Sequence, residues 1–256
     1  MNLHFYKYQA AGNDFVLVDR RGLDFVPTKG QIAHLCDRRF GVGADGVILL
    51  DADQKADFGM VYINPDGTES LCGNGCRSAV DLASRLGLAR HQTVFSAFDG
   101  LHQAELLKEG GVRLQMNDVK LIEQLAEGHF MNTGSPHFVR FVTDLDQYPV
   151  FEEGRAIRYN PIFPDGANAN FVEELPNNTI AIRTYERGVE EETLACGTGA
   201  TAAALSAAIR GYHSPVNVVA RGGKLRVEFV RKGDWHFTDI WLTGPANLVY
   251  EGQISI

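Results

Sequence analysis

The chain has 256 residues, 45% of them hydrophobic and 22% charged, a globular composition with room for one large or two modest domains. This excludes collagen, disordered chains and disulfide-rich mini-proteins. Lys and Arg number 24 against 32 Asp and Glu, and a net charge of −8 opposes a nucleic-acid-binding surface. In chain order, strands are predicted over 3–9, 15–19, 47–51, 58–64, 93–97 and 112–116. These runs are rich in β-branched and aromatic residues and bounded by Gly, Pro, Asn or Asp. A rather exposed helix is predicted over 29–38. A second is predicted over 74–86, with Cys76, Ala79, Val80, Ala83 and Leu86 on one side and Gly87 as its stop. Further strands are expected over 137–142, 171–174, 180–185, 225–230 and 235–242. Between them, 199–209 is almost entirely Ala, Leu and Ile, and a helix apolar all round must be buried.

Two regions of the chain repeat each other. Gly12-Asn13-Asp14-Phe15-Val16 recurs in outline as Ser135-Pro136-His137-Phe138-Val139, and Gly43-Ala44-Asp45 as Gly166-Ala167-Asn168, each 123 residues on. Val61-Tyr62 matches Thr184-Tyr185 at the same offset, and Cys72-Gly73-Asn74-Gly75 matches Cys196-Gly197-Thr198-Gly199 at 124. Agreement of order and spacing marks an internal duplication. The expected fold class is therefore α+β, with two pseudo-symmetric domains, each a β-barrel-like curved mixed sheet around a central helix. The boundaries are placed at 1–117, with a return strand at 245–256, and 118–244.

Both central helices open on Cys-Gly-x-Gly. The first N–H groups of a helix lack internal partners and carry the positive end of its dipole, so they favour a thiolate and bind anions such as carboxylates. Two such halves facing each other about a pseudo-twofold axis would put Cys72 and Cys196 on opposite sides of one ligand. That arrangement suits removal of an α-proton from one face of an amino acid and return of a proton to the other. The two thiols must be treated as a coupled titration. Such activated thiols are also expected to be sensitive to oxidation. Cys36 and Cys76 lack this placement and are assigned to packing, and no second ligand pair completes a metal site with Cys72 and Cys76. Gly41 to Gly46 spells G-x-G-x-x-G but follows a helix-like segment, the wrong context for a dinucleotide turn. The longest strongly apolar run, Val47-Ile48-Leu49-Leu50, is too short to span a bilayer, and Met1 to Lys7 contains no signal-peptide core, so a cytoplasmic protein without a membrane partner is expected.

These residues carry a family resemblance. Asn64-Pro65-Asp66-Gly67-Thr68 before Cys72-Gly73-Asn74-Gly75-Cys76-Arg77, and Tyr185-Glu186-Arg187-Gly188 before Ala195-Cys196-Gly197-Thr198-Gly199-Ala200, closely resemble the two signatures of diaminopimelate epimerase. The resemblance spans nearly the whole chain. It implies a cofactor-independent epimerase that interconverts LL- and meso-diaminopimelate in lysine and peptidoglycan precursor biosynthesis, with no metal and a diamino dicarboxylate as its small-molecule partner. It further implies Cys72 and Cys196 as acid/base groups, and His137 and Glu186 as residues tuning their pKa. Implied substrate contacts are Asn13, Asn64, Gly73, Asn74, Asn168, Glu186, Arg187, Gly197 and Thr198, and Tyr250 corresponds to a tyrosine associated with homodimer formation. Two positions depart from the pattern: Gly46 replaces a frequent glutamine, and Ser135 a frequent asparagine. Alternatives are a racemase of another amino acid or a non-catalytic amino-acid-binding protein. A phenazine-biosynthesis type of isomerase resembles the architecture but lacks the cysteine pair.

Overall fold

A computed structural model of the chain describes residues 1–108 and 110–256. In order, its elements are β1 (Asn2–Ala10), β2 (Asn13–Asp19), α1 (Lys29–Cys36), β3 (Gly46–Asp51), β4 (Phe58–Ile63), β5 (Glu69–Ser70), α2 (Gly73–Arg85), β6 (Gln92–Ala97), β7 (Gly100–Leu106) and β8 (Val112–Gln115). There follow β9 (Ile122–Leu125), β10 (Gly128–Asn132), β11 (Pro136–Phe141), α3 (Val150–Arg158), β12 (Asn168–Leu175), β13 (Thr179–Glu186) and β14 (Glu191–Thr193). The chain closes with α4 (Gly197–Ile209), β15 (Val216–Ala220), β16 (Gly223–Arg231), β17 (Phe237–Gly244) and β18 (Asn247–Ser255). Two compact units result: residues 1–114 with 244–256, and residues 115–243. No helix among the described residues is long and apolar enough to cross a membrane.

In the first unit the strand order is β18-β1-β2-β3-β4-β6-β7-β8. Pairing is antiparallel except for parallel β2/β3 and β4/β6, and β5 is added on β4. Helix α2 packs against β1, β2, β3, β4, β7 and β18. Helix α1 covers the other face, where Ile32 and Leu35 join Leu3, Phe5, Val16, Val18, Val47 and Leu49 in one core cluster. Burying each such aliphatic side chain stabilises by about 1.5–3 kcal/mol. Because both faces are covered, β3 reads as an unbroken apolar run rather than an alternating one.

The second unit repeats this plan. Its order is β9-β10-β11-β12-β13-β15-β16-β17, with parallel β11/β12 and β13/β15 and with β14 on β13. The register is duplicated too: Phe138 pairs with Ala169 as Phe15 pairs with Gly46, and Ala181 with Val219 as Phe58 pairs with Phe95. The strand that β9 supplies here is supplied in the first unit by β18, which explains why the C-terminal segment returns there. Helix α4 packs against β10 to β13, β15 and β16, and Gly197 to Ala208 is buried apart from the half-buried Thr198.

Three sequence expectations need correction. The helix expected over 29–38 starts at Lys29 behind a Thr28–Gln31 capping box but stops at Cys36. There Asp37 turns extended and its carboxylate accepts from the N–H groups of Arg39 (2.7 Å) and Phe40 (2.8 Å), a local turn that outcompetes the helix. The strand expected over 235–242 begins at Phe237, because Trp235 and His236 lie in the β16/β17 hairpin, where Lys232 N–H reaches the His236 carbonyl at 2.9 Å. Helix α3 falls where no helix was expected. Its phenyl and aliphatic contacts cover the outer face of the second sheet, with Val150 and Ile157 packed among Phe138, Phe163, Phe171 and Tyr185.

Candidate active site

Each unit builds one half-site at the amino end of its central helix. In the first, Cys72 is the N-cap of α2, with extended backbone (φ −128°, ψ 115°), and its carbonyl accepts from Cys76 N–H at 2.8 Å. A Cβ at Gly75 would lie 3.1 Å from Ile48 Cδ1, the movable end of a side chain, and 3.5 Å from Cys72 Cβ. Cys72 is half-buried, whereas Cys76 is fully buried and desolvation pushes its thiol far up; burial pushes Cys36 up to about 11. Neither of these two thiols is suited to ionise, which agrees with a packing role.

Beside Cys72 runs a chain of polar side chains. Arg77 Nη2 donates to Asn74 Oδ1 at 2.6 Å, Asn74 Nδ2 donates to Asn13 Oδ1, and Asn13 Nδ2 donates to Asp45 Oδ2 at 2.8 Å. Arg38 bridges Asp45 (2.8 Å) to Asp14 (2.7 Å), which also pairs with Lys7 at 2.6 Å. Burial would raise the Asp14 carboxyl, but hydrogen bonds from Arg38 and Lys7 outweigh it and hold it down at about 2. Asn64 sits after β4 in a turn, its amide donating to the Thr68 carbonyl (3.0 Å), Thr68 Oγ1 (3.1 Å) and Ser70 Oγ (3.0 Å). The structure thus joins Asn13, Gly73 and Asn74 to the Cys72 helix entrance and holds Asn64 in the turn after β4, bonded to Ser70 two residues before Cys72. At Gly46, one of the two departures, a Cβ would meet the Tyr62 ring at 2.4 Å, so Tyr62 fills the space a side chain there would use. Its hydroxyl donates to the Asp45 carbonyl at 3.3 Å.

In the second unit Cys196 caps α4 with the same geometry (φ −114°, ψ 116°), and Ala200 N–H returns to its carbonyl at 2.9 Å. Thr198 Oγ1 lies 3.4 Å from Cys196 Sγ and 2.9 Å from His137 Nε2. Ser135 Oγ is also 2.9 Å from His137 Nε2, and on the other side Asn170 Nδ2 donates to His137 Nδ1 at 3.1 Å. The Asn170 amide is itself oriented, donating to the Phe138 carbonyl (2.9 Å) and accepting from Thr184 Oγ1 (3.0 Å). The network therefore assigns the imidazole proton to Nε2. His137 is fully buried, and desolvation pushes its pKa down to about 3, so the ring is neutral near pH 7.

Asn168, buried at the start of β12, donates to Ser135 Oγ (3.1 Å) and the Pro136 carbonyl (2.8 Å) and accepts the Arg187 backbone N–H (2.8 Å). The Arg187 guanidinium is held by the Asp165 carbonyl at 2.9 Å, and Glu186 accepts from Thr193 Oγ1 at 2.9 Å. Ser135, the other departure, is thus a junction between His137 and Asn168. Gly197 opens the helix, and Thr133 Oγ1 donates to the Thr198 carbonyl at 2.9 Å. Tyr250 stands apart on β18, 46% exposed, with its ring edge-on to Phe5 at 6.0 Å. Sequence reasoning missed Tyr62, Arg77, Thr133 and Asn170. Asn170 could have been found from its alternation with Asn168, which puts both on one strand two residues apart. Among the described residues no cluster of three His, Cys, Asp or Glu side chains could hold a metal ion.

Comparison with known proteins bears on these half-sites. The model of the diaminopimelate epimerase family matches residues 5–122 and 129–249. A diaminopimelate epimerase of Flavobacterium psychrophilum is 45% identical, the match covering 98% of this chain and 100% of that one. One from Chlorobaculum tepidum is 44% identical over 96% of this chain and 99% of the relative. Among solved structures, a phenazine biosynthesis protein of the PhzF family from Bacillus anthracis superposes with a TM-score of 0.77 at 16% identity, covering all of both chains. A hydroxyproline epimerase from Agrobacterium vitis superposes at 0.68 and 17% identity, covering 100% of this chain and 93% of the other. At such identities these two solved structures speak for the fold alone.

Proposed function

This chain belongs to the diaminopimelate epimerase family, and on that premise we propose that Cys72 and Cys196 are the two acid/base groups with which it interconverts LL- and meso-diaminopimelate. The observation that carries the proposal is the repeated entrance: both cysteines cap a buried helix through the same Cys-Gly-x-Gly string and the same extended backbone. One thiolate takes the α-proton from one face of the substrate, and the other thiol delivers a proton to the opposite face. The roles exchange in the reverse direction. Helix N–H groups at Gly73-Asn74 and Gly197-Thr198 bind the carboxylate of the reacting centre, and with the substrate's own ammonium they stabilise the developing carbanion without pyridoxal phosphate.

The second half-site supplies a route to the thiol. Neutral His137 donates from Nε2 toward Thr198 Oγ1, whose own proton then points at Cys196 Sγ and favours its thiolate. Arg187, Asn168 and Asn64 recognise the far end of the substrate, since a diamino dicarboxylate calls for amides and one arginine. Glu186, next to Arg187, tunes the thiol pair. In this reading the protein works in the cytoplasm as a homodimer assembled through the β18 surface that carries Tyr250. Incubation with LL-diaminopimelate in heavy water tests the proposal. Deuterium should appear at one α-carbon as meso product forms, and absence of exchange at every pH in the presence of reductant would overturn it.

A further inference from the structure

Among the described residues Arg77 is the largest fully buried side chain, and it lies one turn into α2 beside the Cys72 entrance. Among the described residues it has no carboxylate partner. Its guanidinium donates to Asn74 Oδ1 at 2.6 Å and, at longer range, to the carbonyls of Pro245 (3.4 Å) and Gly73 (3.5 Å). Burying a cation without a counter-ion is costly, and the same core volume could be filled by an apolar residue at no such cost. Desolvation pushes its pKa down only to about 10, so the group remains a cation near neutral pH. The retained charge needs a reason, and the polar chain beside it supplies one.

An arginine can only donate hydrogen bonds and a carboxylate can only accept them, whereas an asparagine amide does either, depending on its flip. In the first unit two asparagines lie between one group of each kind: Arg77 to Asn74 to Asn13 to Asp45. Donor-only Arg77 at one end requires Asn74 to face it with Oδ1. The Asn74 nitrogen must then donate to Asn13 Oδ1, and the Asn13 nitrogen meets acceptor-only Asp45. Every amide in the chain is oriented by its ends.

We infer that Arg77 is a positioning residue for the epimerisation, a buried donor that together with Asp45 at the other end holds Asn74 and Asn13 in one flip and so sets which amide groups the substrate's carboxylate and ammonium meet. The inference rests on the proposed substrate role of these two asparagines and deepens it. An amino acid's head group distinguishes donors from acceptors, so a flipped amide opposes the ligand where the native one binds it. Arg77 itself touches no substrate in this scheme.

The test compares Arg77→Met, which fills the same volume without a donor, with Arg77→Lys, which keeps a donor-only cation. Steady-state epimerisation and thermal melting are measured for each. Loss of one charge-assisted hydrogen bond predicts a rise in KM for LL-diaminopimelate of about ten-fold in Arg77→Met, with kcat falling by less than KM rises. Its melting temperature should be unchanged or higher, because a buried uncompensated charge has gone. Arg77→Lys should recover KM to within about three-fold of the parent, since a donor-only partner for Asn74 is restored. A parental KM in Arg77→Met overturns the inference whatever the melting temperature, and a lowered melting temperature beside it would assign Arg77 to packing. Should Arg77→Met not fold, Arg77→Lys against Arg77→Gln decides, because glutamine permits either flip. A KM higher in the glutamine variant supports the inference, and equal KM values overturn it. Heavy-water exchange by the parent protein separates the outcomes: if the parent exchanges no deuterium, the epimerase reading fails, and if only the variants behave otherwise, this inference fails.

Discussion

Alanine at Gly199 should do far more damage than alanine at Gly75, although the two glycines occupy the same place in the duplicated Cys-Gly-x-Gly entrance. A Cβ at 199 would lie 2.5 Å from Asn170 Oδ1 and 3.3 and 3.4 Å from Cys196 Cβ and Sγ. Asn170 cannot step aside cheaply, because it is fully buried and bonded to His137, the Phe138 carbonyl and Thr184. Overpacking of this kind costs about 1–3 kcal/mol. Breaking one of the buried hydrogen bonds adds about 1–3 kcal/mol. Replacing a helical glycine returns only about 1 kcal/mol. The net expectation for Gly199→Ala is a loss of about 1–5 kcal/mol in stability. A shift of His137 and Cys196 by some tenths of an ångström to 1 Å adds a fall in kcat/KM of about 100-fold. At Gly75 the tightest contact is Ile48 Cδ1 at 3.1 Å, the end of a flexible side chain, with Cys72 Cβ at 3.5 Å. Gly75→Ala should therefore stay within about 1 kcal/mol of the parent, the helix gain offsetting the contact. Denaturant melts and α-proton exchange measured on both variants provide the assay. Equal losses in the two, or a milder effect at Gly199, would refute the role given to the Asn170 contact.

The buried imidazole makes a pH prediction. With His137 held at about 3 when folded and near its ordinary value of 6.5 when unfolded, the unfolded chain binds the extra proton, so stability is full above pH 6.5 and is lost as pH falls toward 3. His137→Gln should flatten that part of the stability profile, and a variant profile parallel to the parent's would contradict the burial argument. The hydroxyl between His137 and Cys196 predicts that Thr198→Val lowers kcat by about 10-fold or more while Thr198→Ser stays within a few-fold, read by steady-state kinetics. Equal rates in the two variants would show that the hydroxyl does not matter.

Most of the fold was legible because it is written twice. Many strand positions, the two central helices and the α+β class follow from apolar runs bounded by turn residues and from the 123-residue offset, whereas β7, β9, β10 and β15 went unread. The missed helix α3 was available from the same source: α1 begins at Lys29, and the offset carries it to the neighbourhood of Val150–Arg158. Its acidic Glu152 and Glu153 near the start and Arg155 and Arg158 near the end are the charge order a helix favours. What hid it was composition, since exposed charges weaken the apolar period by which helices are read. The early stop of α1 was hidden for another reason, as the Asp37 turn depends on a side chain bonding its own neighbours. In the candidate site, Cys72, Cys196, Asn13, Asn74, Asn168 and His137 stood out through the repeat and its motifs. Arg77, Asn170 and Tyr62 did not, because their roles are set by partners distant in sequence: Asn13 through Asn74, Gly199, and Gly46.

In the proposed mechanism two thiols, one per unit, act on the two faces of one carbon. The most direct measurement is epimerisation of LL-diaminopimelate by Cys72→Ala and by Cys196→Ala, each verified as folded and assayed in reductant beside the parent. Each single substitution should abolish formation of the meso product. Near-parental turnover in either variant would contradict the mechanism.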